Sequence, residues 1–157
     1  MQTVSIFVDV QNIYYTTREA FGRHFNYQKF WNDVTENREV VAAVAYAIDR
    51  NDAKQRGFQQ ILRDIGFEVK LKPYIQRGDG SAKGDWDVGI TLDLVEFAEK
   101  SDVVVLASGD GDFDLALQRV QNRFGIETEV YGVEKLTAAS LINATTRYAP
   151  IQQNMLL

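Results

Sequence analysis

The chain has 157 residues, of which 45% are hydrophobic and 25% are charged, with no Cys and two Pro. These fractions are typical of a globular protein and argue against disorder, and the lack of Cys excludes disulfides, thiol nucleophiles and Cys-based metal sites. The net charge of −5 lacks the basic surplus of a duplex-DNA binder, yet it remains compatible with an enzyme that holds nucleic acid through metal ions.

Length and hydropathy predict a single domain over residues 1–157. No apolar run reaches the roughly 20 residues of a membrane span, and the chain opens on a strand pattern without a basic, apolar leader. We therefore expect a cytoplasmic protein that makes no membrane contact. The sequence leaves the oligomeric state open, a homo-oligomer included.

Apolar, β-branched runs alternate with amphipathic ones along the whole chain. In chain order the pattern predicts a strand at Val4–Val10, helices at Ile13–Phe21 and Tyr27–Glu36, a strand at Val40–Ile48, a helix at Asp52–Ile65, a strand at Phe67–Ile75, a loop at Gln76–Gly84, a helix at Asp87–Glu99, a strand at Val103–Leu106, a helix at Asp112–Arg123, a strand at Glu127–Val130 and a helix at Lys135–Thr146. Because strands joined by helices pair in parallel and need cover on both faces, we predict an α/β fold. Its expected form is a three-layer α/β/α sandwich with a mostly parallel, five-stranded sheet.

Acidic and polar side chains follow the predicted strands at the edge where ligands of such sheets bind. They are Asp9 and Asn12 after the first strand, Asp85 and Asp87 at the start of the helix after the loop, and Ser108, Asp110, Asp112 and Asp114 after the fourth strand. Carboxylates about 4 Å apart repel by roughly 1 to 4 kcal/mol, depending on the effective dielectric. Mg²⁺ or Mn²⁺ removes this repulsion and prefers oxygen ligands, so the pattern predicts a metal site.

A structural role competes with this interpretation. Asp and Ser at strand-to-helix junctions commonly cap helices, and Asp85 and Asp112 fit that role. Asp9 is less easily explained in this way, because a carboxylate at the end of so apolar a strand is costly unless something binds it.

A phosphatase of the haloacid dehalogenase type is a further alternative. Gly109-Asp110-Gly111 followed by Asp114 resembles the last acidic motif of those enzymes. Their first strand ends in Asp-x-Asp, however, whereas this chain has Asp9-Val10-Gln11 and so lacks the second Asp. The phosphatase is therefore the weaker hypothesis.

Three segments together resemble the signatures of the NYN domain family, in particular its LabA-like branch, which is related to PIN-domain nucleases. The segments are Phe7-Val8-Asp9-Val10-Gln11-Asn12, then Lys83-Gly84 with Asp87-Val88 and Asp93, then Ser108-Gly109-Asp110-Gly111-Asp112-Phe113. The resemblance covers residues 4–131. It implies a PIN-like α/β/α fold and a metal-dependent ribonuclease.

The resemblance also implies roles for single residues. Asp9, Asp87, Asp110 and Asp112 would be the catalytic and metal-binding carboxylates, with Mg²⁺ or Mn²⁺ as cofactor. Asn12 and Ser108 would support them. The family has Asp three residues after the Lys, where this chain has Trp86 with an Asp on either side. Asp87 matches the pattern better, because Val88 and Asp93 follow it at the family's spacing, so Asp85 becomes a cap or an outer ligand. Asp93, six residues after Asp87 on one helix, would serve a supporting or structural role.

The implied substrate is single-stranded RNA. Its phosphates would contact Lys83 and Arg77. Trp86, Tyr14 and Tyr15 would either stack on unpaired bases or pack in the core and between helices. Lys70 and Lys72 fit a solvated strand edge better than a phosphate site. A binding or regulatory module with the same fold and little turnover is the alternative to the enzyme.

Overall fold

The computed structural model describes residues 1–73, 75–76, 82–83 and 85–157. The strands are β1 (Gln2–Asp9), β2 (Arg38–Asp49), β3 (Glu68–Pro73), β4 (Ile75–Gln76), β5 (Ala82–Lys83), β6 (Val103–Ala107), β7 (Glu127–Gly132) and β8 (Arg147–Pro150). The helices are α1 (Val10–Phe21), α2 (Tyr27–Thr35), α3 (Ala53–Ile65), α4 (Asp87–Ala98), α5 (Asp114–Phe124) and α6 (Ala139–Ala144). Short 3₁₀ turns lie at Gly111–Phe113, Glu134–Leu136 and Gln153–Met155.

Six strands form one parallel sheet in the order β3-β2-β1-β6-β7-β8. The chain proceeds outward from β1 to β2 and β3, then returns to β6 and proceeds outward in the other direction. The strand order therefore reverses between β1 and β6, which is where such sheets open a crevice at their carboxyl ends. Strands β4 and β5 pair separately, in antiparallel orientation.

Side chains of the sheet point alternately into two hydrophobic cores, one on each face. Val4, Ile6 and Val8 of β1 face the core that α1, α2 and α3 cover, whereas Phe7 faces the core under α4, α5 and α6. The helices contribute Ile13, Phe30, Val34 and Leu62 to the first core and Ile90, Leu94, Leu117 and Leu141 to the second. Burial on both faces explains the nearly continuous apolar runs of the central strands, and the architecture is the expected three-layer one.

The sheet has one strand more than the five predicted. The added strand, β8, has four residues that include a Pro, and three of them are only half-buried, so it lacks a clear strand pattern. The predicted helix Lys135–Thr146 is wrong in extent, since a 3₁₀ turn ends at Leu136 and α6 starts at Ala139. The cause is tertiary, because the Ala138 amide donates to the Gly109 carbonyl 3.0 Å away instead of continuing a helix.

Most of the predicted loop Gln76–Gly84 lies outside the described residues. Within it, Gln76 belongs to β4 and Ala82–Lys83 form β5. In the part of the chain that the structure describes, no helix combines the length and the apolar character that crossing a membrane requires.

Candidate active site

Asp9 ends β1 and directly precedes α1, at the point where the strand order reverses. Only 8% of the residue is exposed. Its Oδ1 accepts a hydrogen bond from the Asn12 amide at 3.4 Å, so the carboxylate caps the helix. Capping and function are thus compatible here, because Oδ2 points to the neighbouring strand.

Ser108 and Asn12 join the ends of β1 and β6. The Ser108 hydroxyl donates to Asp9 Oδ2 at 3.1 Å and accepts from the Asp110 amide at 3.1 Å. Asn12 Oδ1 accepts from the Gly109 amide at 2.9 Å. Four hydrogen bonds, including the helix cap, therefore fix the Asp9 carboxylate against the loop that carries Asp110.

Three further carboxylates converge beside this network. Asp87 is the first residue of α4, and Asp110 and Asp112 lie in the loop after β6. One oxygen from each lies within 4.8 Å of the others, a spacing that suits one cation. Asp110 Oδ1 also accepts from the Asp112 amide at 2.9 Å, which begins the 3₁₀ turn and sets the positions of both side chains. We call Asp87, Asp110 and Asp112 the acidic triplet.

Burial and neighbouring negative charges raise the pKa of two of these carboxylates. Burial raises the pKa of Asp9 to about 6, although hydrogen bonds from Asn12 and Ser108 oppose the shift and the charges of Asp110 and Asp85 add to it. The pKa of Asp87 rises to about 7, first through burial, then through hydrogen bonding to Asp110 and repulsion by Asp110, Asp85 and Asp9. The charged forms are thus only partly compensated within the protein, and a bound cation would neutralise them.

Asp85 and Asp93 lie outside the acidic triplet. Asp85 is exposed, and its Oδ1 accepts from the Asp87 amide at 3.4 Å. Asp93 accepts from the Tyr46 hydroxyl at 2.7 Å and from Lys70 Nζ at 2.8 Å. Its carboxylate is therefore occupied within a half-buried cluster between α4, β2 and β3.

The residues predicted to contact RNA differ in how far they are packed against the protein or exposed. The Trp86 indole donates to the Ala47 carbonyl at 2.8 Å, its ring centroid lies 5.3 Å from that of Tyr46, and Lys72 Nζ lies 4.5 Å from its ring. Trp86 thus supports α4 against the sheet.

The Lys83 side chain and all of Arg77 lie outside the described residues. Tyr14 and Tyr15 on α1 are 47% and 62% exposed. The RNA contacts of all these residues stay predictions.

Sequence reasoning missed the segment that supports the loop of the acidic triplet. A Cβ on Gly109 would come within 2.7 Å of the Leu136 carbonyl, and the Gly109 carbonyl accepts from Ala138. Gly109, the first glycine of the Ser-Gly-Asp-Gly-Asp motif, is thus needed because a side chain there would collide with the backbone at Leu136. The motif signals such an approach but does not reveal which distant segment makes it.

Comparison with known proteins places the chain in a family. The NYN domain family matches residues 3–152. The low amplitude and bright protein LabA of Synechococcus elongatus is 29% identical in an alignment of 153 positions that covers 92% of this chain and 81% of LabA.

Among solved structures, a Vibrio parahaemolyticus protein of unknown function is 55% identical with a TM-score of 0.95, covering 99% of this chain and 96% of that one. Acinetobacter baumannii MurG, at 15% identity and a TM-score of 0.52 over 99% of this chain and 43% of its own, shares the fold alone. Because the family matches nearly all residues and LabA is similar over most of the chain, this chain belongs to the NYN domain family.

Proposed function

We propose that this chain is a metal-dependent ribonuclease that hydrolyses single-stranded RNA at the acidic triplet, with residues 1–157 acting as one domain. The observation that carries the proposal is the convergence of the Asp87, Asp110 and Asp112 oxygens within 4.8 Å. Membership of a family related to nucleases supports the reaction class.

The donor set fits a hard divalent cation. The triplet offers only carboxylate oxygens, which Mg²⁺ and Mn²⁺ prefer, and burial together with the neighbouring Asp110 raises the pKa of Asp87. Asp87, Asp110 and Asp112 would hold the ion, and Asp9 would add a further negative charge beside them. When bound, such an ion polarises a phosphodiester and lowers the pKa of a water ligand.

The remaining residues fix the carboxylates. Ser108 holds Asp9 and the Asp110 backbone at once, and Asn12 ties α1 to the same loop. Ser108 is fully buried and its hydroxyl is occupied, so it is not available as a nucleophile. The single His of the chain, His24, contacts Tyr14, whose side chain lies on the opposite flank of α1 from Asn12. Water is therefore the proposed nucleophile.

The test is cleavage of end-labelled single-stranded RNA with Mn²⁺ or Mg²⁺ by purified full-length protein. Asp112→Asn removes an exposed carboxylate of the triplet, so folding should survive and the rate should fall by about 100-fold or more. Asp64→Asn, an exposed carboxylate in the last turn of α3, is the matched control and should cleave normally.

Two outcomes would overturn the proposal. Hydrolysis of a small phosphomonoester with RNA left intact would favour the phosphatase. RNA binding without cleavage in either metal would favour the regulatory module of the same fold.

A further inference from the structure

A second cleft lies beside α1, away from the acidic triplet. It has a volume of about 250 Å³ and lies between α1, the turn that follows it and the first turn of α3. Its lining consists of Tyr14, Arg18, Gly22, Arg23, His24 and Lys54. We call it the α1–α3 cleft.

The cleft is cationic on a chain whose net charge is −5. Three of the six lining residues are Arg or Lys, and none of the described residues that line it is acidic. Within the part of the chain that the structure describes, neither Arg18 nor Lys54 forms an ion pair. A cluster of positive charges on a protein of negative net charge attracts anions locally.

Local structure explains how these groups meet. Gly22 ends α1 in the left-handed conformation, with φ of 64°, and the chain turns so that the His24 ring stacks on Tyr14 at 5.9 Å. Arg18, one turn after Tyr14, places its guanidinium 6.0 Å from the same ring. Arg23 donates to the carbonyls of Leu156 and Leu157, so its main role is to anchor this turn.

Helix α1 connects the cleft with the acidic site. Its first turn carries Asn12, which bonds the loop of the triplet, and the cleft begins two residues later, at Tyr14. At about 100° per residue, Tyr15 projects about 60° from Asn12 on one side and about 60° from Arg18 on the other. Its exposed ring, 62% accessible, therefore lies on the ridge between the two sites.

We propose that the α1–α3 cleft binds backbone phosphates of single-stranded RNA through Arg18 and Lys54, while Tyr15 stacks on an unpaired base between the cleft and the acidic site. The identity of the ligand as RNA rests on the proposed function. A cationic groove flanked by exposed aromatic rings is how proteins hold single strands, because phosphates and base faces are recognised together.

Size and lining also favour a strand over a free small molecule. Small-molecule pockets are commonly 300–1,000 Å³ and mostly apolar. This cleft is smaller, and the described residues that line it include no aliphatic side chain. It suits one segment of a longer chain, whose remaining nucleotides make contacts elsewhere.

The test measures binding of a short, fluorescently labelled single-stranded RNA in EDTA at low salt, where no cleavage occurs. The double variant Arg18→Gln/Lys54→Gln should raise Kd by about tenfold or more and reduce the salt slope by about 1.4, from about 0.7 per phosphate contact. Tyr15→Ala should weaken binding without changing the salt slope. The matched control Arg119→Gln/Arg123→Gln removes two exposed arginines from α5, on the opposite face of the sheet, and should bind RNA like the wild type.

Equal losses in the two double variants would overturn the proposal, as would wild-type protein that does not bind RNA. Binding of adenosine monophosphate as tightly as RNA would identify a mononucleotide site instead and would also overturn it. The readout is independent of turnover. Cleft-dependent binding without cleavage in Mn²⁺ would refute only the ribonuclease, and cleavage with unchanged binding in the double variant would refute only the cleft.

Discussion

Arg38 in β2 and Glu129 in β7 form a two-pronged ion pair although two strands of the sheet separate them. Arg38 Nη2 lies 2.8 Å from Glu129 Oε2, and Nη1 donates to Oε1 at 3.3 Å. The Glu129 side chain is only 5% exposed, and Arg147 in β8 approaches it at 3.9 Å. The pair thus connects the two halves of the sheet on the face that α1 and α2 cover.

We expect Arg38→Gln to lower the free energy of unfolding by about 3 kcal/mol, because it leaves a buried carboxylate with one distant partner. Urea unfolding followed by circular dichroism measures the change. Arg38→Gln/Glu129→Gln should recover part of the loss, because no buried charge remains. A single variant as stable as the wild type would contradict the ion pair's role.

Mn²⁺ at millimolar concentration should raise the Tm of the protein, because an ion that binds the acidic triplet in the folded state stabilises it by mass action. Asp110→Asn should reduce this shift, and Asp64→Asn should leave it unchanged. Differential scanning fluorimetry with and without EDTA provides the measurement. A Tm that Mn²⁺ does not move in the wild-type protein would argue against a metal site.

The metal-free protein should lose stability as the pH rises from 4 towards 7. The pKa of Asp9 is about 6 in the folded protein against an ordinary value of 3.8, so the folded state binds its proton more tightly. The associated stability is present below the unfolded pKa and disappears as the pH passes the folded one, a loss of about 3 kcal/mol.

Asp9→Asn removes this titration. Its amide oxygen can still accept from the Asn12 amide, and its amide nitrogen can donate to the Ser108 hydroxyl oxygen in place of the bond that Ser108 now donates. In EDTA we therefore expect the variant to be more stable than the wild type at neutral pH and to show a flatter pH profile. Parallel urea-unfolding profiles for the two proteins between pH 4 and 7 would contradict this expectation.

Asp85 and Asp87 should differ sharply in function although they are two positions apart. Asp87 contributes an oxygen to the acidic triplet, whereas Asp85 is exposed and accepts from the Asp87 amide. We expect Asp87→Asn to abolish metal-dependent RNA cleavage and Asp85→Asn to reduce it less than tenfold, since the loss of a helix-start contact costs only about 1 kcal/mol. The reverse order of effects would assign the ligand role to Asp85.

Much of the architecture and the placement of the acidic groups could be predicted from the sequence, because burial on both faces imposes apolar, β-branched runs such as Val103–Ala107. Polar residues directly after such a run, such as Ser108, mark the carboxyl edge of the sheet. What could not be predicted depends on contacts between distant segments. The Trp86 indole that donates to Ala47 and the Lys70 ammonium that pairs with Asp93 carry no local pattern that identifies their partners.

The α1–α3 cleft could not be predicted from the sequence for the same reason. Arg18 and Lys54 belong to different helices and read as ordinary surface residues in the sequence. They line one cleft only because α1 and α3 cover the same face of the sheet.

The bond between Asp9 and Ser108 spans 99 positions of the chain, so the acidic residues meet only after β1 and β6 have paired. Closing so long a loop is a late and entropically costly event in folding. The repulsion among the carboxylates is consequently absent while the chain is still searching for its fold and is strongest in the native state. Removing one of these charges should therefore slow unfolding and leave the refolding rate nearly unchanged. The clustered carboxylates should thus shorten the lifetime of the folded protein without slowing its formation.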